Sequence, residues 1–184
     1  MKNIRLAALA FAAALSFALL PSMAQAQRAS YVSNPQLAKQ IRHELVTLPY
    51  YGVFDNLAYN INGSTVTLYG EVVRPTTKSS AEKRVRQVAG VSRVVNQIKV
   101  LPLSRFDDNI RAATLRSLAR TGGLARYLRG ANPSIHIVVD SGRVTLEGVV
   151  SNNSDKALAN MAARQVSGAF SVTNNLRIEG SNIG

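Results

Sequence analysis

The chain has no cysteine and no tryptophan among its 184 residues, only two histidines, and few aromatic side chains. Without cysteine there are no disulfides, no thiol chemistry, and no cysteine to carry a lipid at a processing site. With no tryptophan and few other rings, a stacking platform for single-stranded nucleic acid is not expected. His43 and His136 are a thin stock for proton transfer or metal ligation. No nucleophile elbow, spaced metal-ligand cluster or phosphate-binding glycine loop occurs. We therefore assign no catalytic, cofactor or metal residues and expect no enzyme activity. Acid is also scarce, at 10 Asp plus Glu against 22 Lys plus Arg, a formal charge of +12. That excess attracts polyanions, either nucleic acid or anionic lipid.

The amino terminus narrows the choice. Lys2 and Arg5 precede an apolar run, LAALAFAAALSFALL (6–20), and Pro21 leads to Ala24-Gln25-Ala26. This is the pattern of a secretory leader with a small-residue cleavage site. At 1.5 Å per residue the run covers about 22 Å, short of the roughly 30 Å of hydrocarbon a membrane span must cross. Residues 1–26 are thus expected to be removed as a signal peptide. No later apolar run is long enough for a transmembrane anchor. Removing Lys2 and Arg5 from the 22 basic residues leaves 20 against 10 acids. Export to the periplasm puts the chain away from nucleic acid, so anionic phospholipid of the cell envelope is the expected partner.

What is present is a duplication. Sliding the sequence by 78 positions lays Val66-Thr67-Leu68-Tyr69-Gly70 on Val144-Thr145-Leu146-Glu147-Gly148. The register persists without a gap through Lys78 and Lys156, Ala81 and Ala159, Arg86-Gln87-Val88 and Arg164-Gln165-Val166, Gly90 and Gly168, and Asn96 and Asn174. One small unit is encoded twice.

Within the first unit, Asn34-Pro35 signals a helix start, and Leu37, Ile41, Leu45 and Leu48 recur at helical spacing. Leu57, Tyr59 and Ile61 alternate as on a half-buried strand, Asn62-Gly63 is a hairpin turn, and Val66, Leu68 and Val72 alternate on the next strand. Thr76 and Thr77 are expected to cap a second helix with Ala81, Val85 and Val88 inward. Gly90 ends it, and Val94, Asn96, Ile98 and Val100 are expected on one face of a third strand. The second unit repeats the order with a helix from Asp107 to about Arg120, strands 134–140 and 143–150, a helix 154–166 and a strand 170–178. The expected fold is α+β, two αββαβ units over 34–101 and 107–179. Each is a three-stranded mixed sheet packed against two helices on one face. Pro102-Leu103-Ser104 is the linker.

The phrase Val66-Thr67-Leu68-x-Gly70-x-Val72, the helix containing Ala81, Gly90-Val91 and the closing Val94-x-Asn96 resemble the BON domain, named for bacterial osmotically inducible and nodulation proteins. The second copy matches through Val144 to Val150, Ala159, Gly168-Ala169 and Val172-x-Asn174. The resemblance implies the αββαβ fold, no enzymatic centre, phospholipid binding and a part in envelope integrity under stress. The second copy departs from the first at Ala169 and in a longer loop, RTGGLARYLRGANP (120–133).

The candidate lipid-binding surface is the first helix of the second unit with that loop. At 100° per residue, Ile110, Ala113 and Leu118 face the core, while Leu115 lies opposite and Arg111, Arg116 and Arg120 flank it. Arg126, Tyr127, Leu128 and Arg129 follow in the loop, basic and apolar groups interleaved as at an interface with anionic headgroups. Four arginines at about 1 kcal/mol each reach only millimolar affinity, so insertion of Tyr127 and Leu128 is expected to contribute. A second candidate surface comes from the register: Ser80 and Lys83 become Leu158 and Met161, an apolar stripe suited to a contact with an envelope protein partner or with the other unit. A chaperone-like or protein-binding adaptor is the alternative function. His136, alternating with Ile135 and Ile137, is expected to face solvent or be lightly packed rather than act in catalysis. Asp107 and Asp108 are read as a cap and favourable charge at a helix start.

Overall fold

The computed structural model describes residues 35–130 and 132–180; the expected leader, residues 1–26, and the Asn34 cap lie outside them. The first repeat runs α1 (Pro35–Val46), β1 (Asn56–Asn62), β2 (Thr65–Val72), α2 (Pro75–Arg86), β3 (Arg93–Asn96) and β4 (Lys99–Val100). The second runs α3 (Arg105–Arg120), a 3-10 turn (Leu124–Leu128), β5 (Ile135–Asp140), β6 (Arg143–Val150), α4 (Asn153–Arg164), β7 (Ser171–Asn174) and β8 (Arg177–Ile178). Among the described residues no helix is long and apolar enough to cross a membrane.

The helices start where local chemistry satisfies their first N–H groups. Ser104 Oγ accepts from Asp107 N at the start of α3, and Asn152 Oδ1 accepts from Asp155 N at the start of α4. The start of α2 differs from expectation. Pro75 opens it with no side-chain cap, and Thr77 is buried inside its first turn. Asp107 is likewise not the cap of α3. Its buried carboxylate accepts from Gly142 N at 2.8 Å and Ser141 N at 3.1 Å, tying the β5–β6 turn to the helix.

In each repeat the first two strands form an antiparallel hairpin and the third pairs parallel to the second. The expected single third strand is broken. β3 and β4 follow β2 with one offset, Thr65 opposite Arg93 and Glu71 opposite Lys99, interrupted at Gln97-Ile98. Gly70 stands opposite the gap. Its φ is +110°, and a Cβ there would stand 2.1 Å from the Asn56 carbonyl oxygen. Gly148 repeats this with φ +116° and 2.0 Å to the Ser134 oxygen. The hairpin register runs unbroken through both glycines, and Gln97 N still donates to Leu68 O at 2.7 Å, so the gap in the parallel ladder is local.

Asn96 bridges the break. Its Oδ1 accepts from Ile98 N at 3.2 Å, and its Nδ2 donates to Lys78 O of α2 at 3.1 Å. Asn174 does the same with Leu176 N at 3.2 Å and Lys156 O of α4 at 2.9 Å. The glycine and the asparagine of the repeated phrase therefore meet at one place: the first stands opposite the interruption and the second fastens it to the helix.

Each repeat has its own core. Leu37, Ile41 and Leu45 of α1 meet Val66, Leu68 and Val72 of β2 and Ala81 and Val85 of α2. Ile110 and Leu118 of α3 meet Val144, Leu146, Ala159 and Ala163, joined by Leu124 and Tyr127 of the 3-10 turn. Val53 and Phe54 of the first repeat also pack on this second core, and Ile137 N donates to Val53 O at 2.7 Å across the free edge of β5. That cover explains why Ile135 to Val139 are all buried, on both faces of the sheet. His136 does not face solvent, contrary to the alternation, because the segment before β1 lies over it.

Gly70→Ala and Gly148→Ala are each expected to lower unfolding stability by about 2–4 kcal/mol, combining left-handed strain with a carbonyl clash. Gly63→Ala, also at positive φ but with open space around it, should cost only about 1 kcal/mol. Urea unfolding of the three variants checks this. Equal effects would remove the close approach as the cause.

Candidate functional site

α3 and α4 lie antiparallel, and their contact differs from that of α1 and α2. Aligning the buried series Leu37, Ile41, Leu45 with Ile110, Thr114, Leu118 puts Ser117 where Glu44 stands. The constant register puts Ala162 where Arg84 stands. In the first repeat Arg84 Nη1 binds Glu44 Oε2 at 3.0 Å across the two helices. In the second, Ser117 Oγ donates to Ala162 O at 2.7 Å, a contact that small residues permit. Beside it lies an open groove of about 420 Å³ lined by Ala113, Arg116, Ser117, Arg120 and Gln165. The matching groove of the first repeat carries the Glu44 carboxylate. That of the second has no acid in its lining.

Arg116 and Arg120 are exposed and make no ion pair among the described residues. Arg129 and Arg164 share that state. Met161, 54% exposed, sits one turn before Gln165 on α4. Leu158 is half-buried, packs on the second core and lies near Gly122. It is therefore accounted for inside the repeat, and of the pair only Met161 stands out as an exposed apolar group.

The remaining candidates are not where helical spacing put them. Arg111 is buried at 3% exposure, its Nη1 bonded to Asp108 Oδ1 at 2.5 Å and its Nη2 to Val139 O at 2.6 Å. It clamps α3 to β5, and Asp108 supplies its counter-charge. Tyr127 is 7% exposed and donates to Asp155 Oδ2 at 2.7 Å, while its hydroxyl oxygen accepts from Ser151 N at 3.0 Å. Asp155 Oδ2 also accepts from Arg126 Nη2 at 2.6 Å and Asn152 Nδ2 at 3.0 Å. Arg126 stacks its guanidinium 4.7 Å from the Tyr127 ring centre. Leu115 and Leu128 are half-buried against the second core. The loop is thus closed onto α4 by one carboxylate, so insertion of Tyr127 into lipid is excluded in this arrangement.

Asp155 was not singled out from sequence, although Asn152-x-x-Asp155 ahead of a helical run is a recognisable start signal. Its second task, holding a tyrosine and an arginine from a loop more than 25 residues away in sequence, leaves no local mark.

The contact between repeats brings together Tyr51, Asp55 and His136. His136 Nδ1 lies 3.3 Å from Gly52 O, and Tyr51 Oη lies 3.5 Å from Nε2. Donation from Nδ1 to the carbonyl leaves Nε2 to accept from the phenol, so this network suits the neutral ring. Burial lowers the His136 pKa, partly offset by its bond to Gly52 and by Asp55. Burial also pushes the Tyr51 hydroxyl up to about 12 and raises Asp55, whose carboxylate accepts from Val73 N and Gly52 N. Glu147 and Arg42 complete the charged surroundings of this pair. Among the described residues no cluster of three His, Asp or Glu side chains is placed to hold a metal ion.

The family model described as the BON domain matches residues 33–102 and again 106–180. No curated protein matches the chain. Among solved structures, the C-terminal domain of CdsD, a structural protein of the type III secretion system of Chlamydia trachomatis, is 14% identical, with a TM-score of 0.29, covering 77% of this chain and 96% of that one. A second CdsD structure from the same organism is 13% identical with a TM-score of 0.30, covering 77% and 91%.

The His136 pKa, lowered in the fold, makes the repeat contact sensitive to acid. The unfolded ring binds its proton near pH 6.5, whereas the folded one does so only at lower pH. Stability from this group is complete above about pH 6.5 and is lost as pH falls below it, at up to about 1.4 kcal/mol per pH unit. Asp55, raised by burial, shifts with the opposite sign, its protonation favouring the fold. Denaturant unfolding from pH 7.5 to 5.5 should show the decline, and His136→Asn should flatten it. An identical slope in the variant would contradict this assignment.

Proposed function

The chain belongs to the BON-domain family, and from that premise we propose that it is a non-enzymatic periplasmic protein that binds anionic phospholipid reversibly and supports envelope integrity under stress. BON domains are associated in general with phospholipid binding and osmotic stress, and proteins carrying them are typically periplasmic or membrane-associated. The observation that carries the reading is the α3–α4 face: Arg116 and Arg120, without acid partners among the described residues, line a groove with Gln165, one turn from the exposed Met161.

This surface is smaller than the one expected from helical spacing. Arg111 and Tyr127 belong to the interior, and Arg126 is held by Asp155. Arg129 remains as an exposed cation of the loop. At about 1 kcal/mol per basic residue near an anionic surface, the unpaired arginines supply a millimolar attraction that falls with salt. Such a contact is reversible, and it needs apolar side chains to become stronger. Met161 is one. The adaptor alternative rests on the Leu158–Met161 stripe, and half of that stripe is spent inside the fold.

Co-flotation with vesicles of equal phosphatidylglycerol and phosphatidylcholine tests the reading. Binding should exceed that to pure phosphatidylcholine and fall as salt rises. Arg116→Glu with Arg120→Glu should weaken it by at least about tenfold, since each reversal removes one attraction and adds one repulsion. Far-UV circular dichroism should stay unchanged. Equal binding to both vesicle types, or indifference to the double reversal, would overturn this surface.

A further inference from the structure

A pair of phenylalanines stands outside either core. Phe106, in the first turn of α3, is 47% exposed, and Phe170, just before β7, is 75% exposed. Their ring centres lie 5.6 Å apart with planes tilted by 36°. Exposed single apolar side chains are ordinary, but two exposed aromatic rings set side by side are not.

The pair is held rigidly. Phe170 N donates to Gly142 O at 2.8 Å, and the ring lies over Gly142 so closely that a Cβ there would meet it at 2.6 Å. The Gly142 N–H and the Ser141 N–H are both fixed by the Asp107 carboxylate, one residue after Phe106. The turn, the helix start and both rings therefore form one preorganised corner.

The duplication supplies a control. By the constant register Gly142 stands for Ser64 and Phe170 for Ser92. The same backbone bond recurs, Ser92 N to Ser64 O at 2.9 Å, but there the side chains are hydroxyls 2.6 Å apart. The frame at this corner needs no aromatic ring. The second repeat carries two, and the first carries a polar pair.

We propose that Phe106 and Phe170 form a wedge that enters the interfacial layer of an anionic bilayer when the second repeat docks. This deepens the proposed function and rests on it, naming the apolar contact that the arginines lack. Two features favour lipid over a protein. Exposed Arg105 and Arg143 flank the rings, and Arg143 reaches its nearest acid, Asp140, only at 4.0 Å. A phenylalanine offers about 150–250 Å², so the exposed parts of two rings amount to roughly 250 Å². A stable protein interface needs about 800 Å² per partner, whereas an interfacial anchor needs only rings and cations.

Because the chain has no tryptophan, Phe170→Trp makes a single reporter, with Phe106→Trp as a second. On vesicles of equal phosphatidylglycerol and phosphatidylcholine, the emission should shift to the blue. Lipids brominated near the glycerol end of their acyl chains should quench it. Phe106→Ser with Phe170→Ser, which gives the second repeat the serine of the first at the latter position, should weaken flotation at least about tenfold with the circular dichroism unchanged. Flotation that persists in the double-serine chain, with neither reporter quenched, would overturn the wedge and leave the basic face standing. Absence of any flotation would overturn both. Self-association of the natural chain without lipid, abolished by Phe170→Ser, would give the rings to a second copy and also overturn the wedge.

Discussion

A backbone collision avoided is the constraint on which the structure depends. At Gly70 and Gly148 a carbonyl oxygen from the neighbouring strand occupies the space of a side chain, about 2 Å from where a Cβ would be. The hairpin register stays unbroken there, and the gap in the parallel strand falls opposite the glycine. Asn96 and Asn174 close that gap and fasten it to α2 and α4. The short phrase shared by the two copies is therefore a mechanical unit rather than a hydrophobic pattern alone.

Once that frame is fixed, the copies are free to differ on the outside. Between the helices of the first repeat an arginine and a glutamate neutralise each other; in the second, a serine and an alanine replace them and the flanking arginines stay uncompensated. At the hairpin corner, two serines in the first repeat face a glycine and a phenylalanine in the second. Both changes move the second repeat toward a surface that is cationic and partly apolar. The first repeat contributes differently, covering β5 with residues 51–55 and burying His136.

The fold was largely legible because its signals are local: apolar spacing, hairpin turns and a register repeated across two copies. The interruption of the third strand was not, since Asn96 reads as one more alternating residue until its bonds are seen. The candidate surface was legible in part. Arg116, Arg120 and Arg129 are exposed as helical and loop positions suggest. Arg111 is buried because the free oxygen of Val139 and the carboxylate of Asp108 attract it inward. Tyr127 is buried because Asp155, distant in sequence, supplies a partner for its hydroxyl. His136 failed the alternation rule for a related reason: the other repeat supplies a cover that no property of β5 announces. In each case a long-range polar partner or neighbour outweighed a local pattern.

The central claim is that the second repeat, through its α3–α4 side, meets anionic lipid while the helices of the first do not. Amide signal broadening by a spin label on the lipid headgroups of phosphatidylglycerol-containing bicelles reads this residue by residue. The account expects the strongest broadening around Phe106, Arg116, Arg120, Met161 and Phe170, with α1 and α2 little affected. Broadening centred on α1 and α2, or spread evenly over both repeats, would contradict it.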